Sequence, residues 1–137
     1  MHLKNGTRDK DKGYYRLDET YYFPADHFDE ENTIPIEQEL TDMLEAFLVD
    51  CANRNIRVVI TIPPIGHELE DIITNVDDIY TLYESIATKY NCPFLKYTQN
   101  DFSHNVVNFE SPNHLNAKGS DAYTLLLAEW IKSLNLE

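Results

Sequence analysis

Near the end of the chain, Ser111-Pro-Asn-His-Leu-Asn-Ala-Lys-Gly119 gathers residue types that together can perform acid–base chemistry. A histidine is the side chain whose charge changes most readily near neutral pH. It becomes an effective general base when a neighbour fixes its ring and tautomer. His114 is of the type that can act so, and Ser111, three residues earlier, has a hydroxyl that can bond an imidazole nitrogen. Asn116 and Gly119 follow at the spacing of a turn into a helix. The chemistry expected of such a histidine is proton abstraction from a weak nucleophile, typically a serine hydroxyl.

The elements that must position these residues are read from apolar periodicity. Ile36, Leu40, Met43, Leu44, Phe47, Leu48 and Cys51 recur at three- and four-residue spacing and predict a helix from Pro35 onward, with Glu37 and Glu39 at its positive end. Arg57 to Ile62 is a continuous β-branched run halted by Pro63-Pro64, which predicts a strand of a parallel sheet. A second helix is expected over residues 71–90, a short strand over Pro93 to Tyr97, and a third helix from Ala117 to Leu134. Leu44, Phe47, Ile60, Ile79, Ile86, Leu126 and Trp130 are the expected core. Alternating helices and strands imply an α/β domain over residues 34–137, preceded by a polar, tyrosine-rich arm over residues 1–33 with at most a short strand near Tyr21 to Phe23. Two strands are few for such a sheet, so a homodimer joined through strand edges or apolar faces is expected.

The block from Phe109 to Thr124 resembles the last conserved block of SGNH (GDSL-type) hydrolases, in which an Asp, two residues, His-Leu-Asn, two residues and Gly lead into a helix. Asn55 to Pro64 and Lys89 to Tyr97, with Asn100-Asp-Phe102, are similar to the core strands and loops that precede that block. The likeness spans roughly Ile34 to Leu134. It implies a three-layer, flavodoxin-like α/β arrangement, truncated at its N-terminal side. The implied activity is hydrolysis of ester bonds through an acyl-serine intermediate, with His114 at the base position, the family's orienting position three residues before it, and no cofactor and no metal. Esters or acylated carbohydrates are the substrates that intact relatives would take.

Two departures alter that expectation. The family's orienting Asp is Ser111 here, which accepts a hydrogen bond but cannot stabilise an imidazolium, at an expected cost of several orders of magnitude in rate. Glu110 is adjacent and is the candidate substitute. The family's Gly-Asp-Ser segment is absent, and Ser85, Ser120 and Ser133 fall in or beside predicted helices. The chain is therefore read as the C-terminal part of an SGNH-type hydrolase, inactive by itself. The rival reading is a non-catalytic binding or assembly module on a degenerate scaffold of the same kind.

Composition bounds the partners. With 24 acidic and 11 basic residues the formal charge is −13, which repels nucleic acid and anionic membranes. No apolar run suits a signal peptide or a membrane span, so a cytoplasmic location is the default expectation. Cys51 and Cys92 fit no zinc spacing and are expected as buried thiols, with a disulfide left open. The acidic cluster around His27 (Asp26, Asp29, Glu30, Glu31) is read as a solvated loop in preference to a cation site. Tyr14, Tyr15, Tyr21 and Tyr22 are read as packing or interface residues.

Overall fold

The computed structural model describes Thr20 and residues 31–135. The expected arm strand near Tyr21, the acidic cluster through Glu30 and the four arm tyrosines lie outside the described residues. The described part is a mixed α/β structure. Its elements are α1 (Gln38–Asn53), β1 (Ile60–Ile62), α2 (His67–Glu70), α3 (Val76–Lys89), β2 (Phe94–Lys96), β3 (Phe109–Ser111), β4 (His114–Leu115) and α4 (Ala117–Ser133). A 3-10 turn, Val106–Asn108, precedes β3.

The expected parallel pair is present. β1 and β2 run parallel with Ile60 opposite Phe94 and Ile62 opposite Lys96. Each strand is reached through the same local device. α1 and α3 end on Asn55 and Asn91, both with positive φ (58° and 52°), a conformation that asparagine tolerates. The amides of Ile56 and Cys92 then fold back onto the carbonyls of Cys51 and Ala87, at 2.9 and 2.8 Å, and close each helix before its strand begins.

The helix expected over residues 71–90 begins only at Val76. Ile72, Ile73 and Thr74 leave the helix because their backbone pairs with Asn32: Asn32 N–H donates to Ile72 O at 2.7 Å and Thr74 N–H to Asn32 O at 2.9 Å. Those groups are the ones a continuous helix would have used internally. Asn75 reinforces the join by bonding both the amide and the carbonyl of Ile34.

The core is built from Leu48, Cys51, Ile62, Tyr80, Ile86, Ala87, Phe109 and Ala117. Of the residues expected there, Ile86 is fully buried and Leu44, Ile60, Ile79, Leu126 and Trp130 are half-buried. Phe47 is a correction: it is 56% exposed, because only one side of the apolar stripe on α1 meets the rest of the chain. Cys51 and Cys92 are free thiols, and burial pushes the Cys92 thiol up from its ordinary value. α1 is tied to α3 by Lys89, whose ammonium donates to Glu45 at 2.7 and 2.8 Å and holds that carboxyl below the usual range. Among the described residues no helix is long and apolar enough to cross a membrane.

β3 and β4 form a small antiparallel hairpin ahead of α4, where the sequence had indicated only a loop. It is locked to α4 by a close backbone approach. A Cβ on Gly119 would sit 2.0 Å from Asn108 O, a separation that no side chain could accept without moving the backbone. At a free helical position, Gly to Ala stabilises by about 1 kcal/mol. Gly119→Ala is expected to do the reverse, lowering the urea unfolding free energy by about 1–3 kcal/mol. A gain in stability would show that α4 does not approach Asn108 this closely.

Candidate functional site

The histidine block is held by the buried side chain of Asn116. Its Oδ1 caps α4 by accepting from Gly119 N–H at 2.9 Å, and its Nδ2 donates to Val107 O at 2.9 Å and Phe109 O at 3.3 Å. One amide therefore fixes the start of a helix, the 3-10 turn and the first strand of the hairpin together. Asn108 adds a bond from its Nδ2 to Phe102 O at 3.2 Å and accepts from Asn116 N–H at 3.0 Å. The hairpin turn is anchored on its other side by Gly66 N–H donating to Pro112 O at 2.7 Å.

On this frame the two expected residues meet. His114 Nδ1 lies 2.9 Å from Ser111 Oγ, and Ser111 donates its single hydroxyl proton to Asn113 Oδ1 at 3.0 Å. With that proton spent, Ser111 Oγ is left to accept, so Nδ1 carries the ring hydrogen and the lone pair resides on Nε2. His114 is exposed, and among the described residues no serine hydroxyl bonds its ring other than Ser111. Glu110, weighed as a substitute for the missing acid, makes no bond to His114. It is the extra residue where the register shifts between Phe109 and Ser111 on β3. Ser120 lies on α4 and Ser85 on α3, where Ser85 is bonded to Leu82 O; Ser133, at the end of α4, bonds Trp130 O.

A second group of polar residues lies where the loops leave the carboxyl ends of β1 and β2, the usual place for sites in open α/β sheets. Glu70 is buried and accepts from Tyr80 Oη and from Thr98 Oγ1, the latter at 2.8 Å. Thr98 in turn lies 3.3 Å from the hydroxyl of Ser103, which is 0% exposed. Burial, and then the Glu70 carboxylate, push the Tyr80 phenol well above its ordinary value. Beside this network a cleft of about 490 Å³ is lined by His67, Glu70, Asp71, Asp77, Gln99 and His104, among others. The rings of His67 and His104 stand 4.7 Å apart. His67 Nδ1 is buried 3.2 Å from Glu68 Oε2, out of hydrogen-bond alignment.

Among the described residues no three His, Cys, Asp or Glu side chains converge as a metal site. Sequence reading missed His67, Glu70 and His104. The available signal was positional, since all three follow predicted strands within eight residues. Neither a family model, nor a curated protein, nor a solved structure matches the chain.

Two outcomes are expected. In Ser111→Ala, ring ¹⁵N shifts of His114 should move from the Nδ1–H form toward the Nε2–H form that a free imidazole favours; an unchanged pattern would mean that Ser111 does not set the tautomer. Tyr80 is raised in the folded state, so the folded chain retains that proton while the unfolded chain loses it above about pH 10. Its contribution is intact below that pH and is lost as pH rises beyond it. Tyr80→Phe should cost about 1–3 kcal/mol at neutral pH and flatten the alkaline decline in urea stability; an equally steep decline in the variant would assign the loss to other groups.

Proposed function

We propose that this chain carries the histidine half of an SGNH-type serine ester hydrolase site, on a three-layer, flavodoxin-like α/β scaffold. By itself the chain does not turn substrate over. The observation that supports this reading is the oriented His114, its Nδ1 2.9 Å from Ser111 Oγ on the strand that leads into α4.

In the complete reaction a serine Oγ attacks the ester carbonyl while its proton passes to His114 Nε2. That proton is then delivered to the departing alkoxide, leaving an acyl-serine. Water, deprotonated by the same nitrogen, attacks the acyl-serine and releases the acid. The serine belongs to a Gly-Asp-Ser segment that these 137 residues do not contain. Ser111 orients the ring but gives the imidazolium no carboxylate to rest against. Acylated carbohydrates or simple esters are the substrate class.

The second reading, a non-catalytic binding or assembly module, is favoured by the same Ser111, because a scaffold released from catalysis has no need of the acid. The readings separate on two measurements. On the hydrolase reading, the genomic frame read upstream of this sequence contains Gly-Asp-Ser, and its product reacts with a fluorophosphonate only while His114 is intact. The chain itself should hydrolyse a short p-nitrophenyl ester no faster than His114→Ala. A frame without that segment would favour the module, and His114-dependent turnover by the chain alone would require a nucleophile among its own serines.

A further inference from the structure

α1 carries more apolar surface than the other described residues cover. Leu44, Leu48 and Cys51 turn inward, whereas Leu40, Met43 and Phe47, beside them on the helix, are 60, 62 and 56% exposed. Their spacing of three and then four is that of a seam that one helix offers to another. Ile36, just ahead of the first turn, extends the patch at 48% exposed, and Ile34 and Tyr83 border it. The seam ends in polar residues, where Asp50 and Arg54 pair at 3.1 Å. At 37 to 62% exposed, these six apolar residues form a patch on the order of the ~300–600 Å² that the largest patch on a typical monomer reaches.

We propose that this face binds a second copy of the chain, α1 against α1, antiparallel about a twofold axis. The proposal rests on α1 alone and stands or falls apart from the hydrolase reading. An isologous contact needs a patch that fits itself. Antiparallel pairing sets Leu40 of one copy beside Met43 of the other and carries Phe47 toward Ile36, so apolar residues meet along the whole seam.

Charge selects this direction. α1 contains four acidic and no basic residues, and Glu39 lies in its first turn, next to Glu37. A parallel pair would bring both acidic first turns and both helix dipoles side by side. The antiparallel pair places them at opposite ends, with Glu39 of each copy beside the uncharged Ala46 of the other. The net charge of −13 on each copy still opposes association, so salt must strengthen the contact by screening. Of the strand edges and apolar faces that the sequence had pointed to, this is an apolar face, carried by a helix.

The test is light scattering on the wild-type chain and three variants at micromolar concentration, in low and high salt. Wild type is expected at twice the chain mass, with more dimer in high salt. Met43→Glu and Phe47→Glu should weaken the dimer by at least about tenfold with an unchanged far-ultraviolet circular dichroism spectrum. Val49→Glu, exposed on the other side of α1, should leave it intact. Mixed Leu40→Cys and Met43→Cys chains should oxidise to the unlike pair. A monomeric wild type in both salts, a dimer indifferent to Met43→Glu and Phe47→Glu, equal loss in Val49→Glu, or cross-linking of like with like would each overturn the proposal.

Discussion

The arrangement around His114 depends on one close approach of two backbones, that of α4 at Gly119 against the carbonyl of Asn108. Only at that separation can Asn116 reach the 3-10 turn and β3 with its amide while capping α4 with its carbonyl oxygen. A two-residue strand such as β4 has little stability of its own. The hairpin persists because its ends are fixed by this junction and its turn by Gly66. The orientation of an exposed histidine thus rests on buried amides several residues away.

Rigid and open groups lie side by side at the carboxyl ends of the two parallel strands. Glu70, Tyr80, Thr98 and Ser103 form a closed chain of hydrogen bonds in which the buried carboxylate is satisfied by two hydroxyls. Such a network is costly to leave half-made, so it fixes α2, α3 and the loop after β2 relative to one another. His67 and His104, beside it, line a cleft and have no comparable set of partners among the described residues. The network therefore serves as the wall on which those two rings are presented.

α1 contrasts with this well-fixed end of the molecule. Its inner residues and the Lys89 to Glu45 ion pair hold it in place, yet Leu40, Met43 and Phe47 of its apolar stripe stay more than half exposed. Burial of apolar area is the main favourable term in folding, and an unused seam is the part of that term still available to association. The acidic surface keeps such association selective, because close approach is favourable only where uncharged residues face one another.

Much of this was legible in the sequence because it is governed by local chemistry. Periodicity placed α1 and α4 within a few residues, and β-branched content with a Pro-Pro stop located β1. The His-Leu-Asn spacing singled out Ser111 and His114, which the structure brings within 2.9 Å. Three features were decided only by tertiary contact. The helix expected from Asp71 starts only at Val76 because Ile72 to Thr74 pair with Asn32, forty residues away, and their β-branched side chains do not by themselves name that partner. The hairpin at His114 exists through Asn108, Asn116 and Gly119 acting across two elements, whereas sequence shows each only as a turn-prone residue. Phe47 belongs to an apolar stripe in both descriptions. Whether a stripe is covered depends on what packs against it, and that is a property of the assembled chain that spacing along one helix cannot encode.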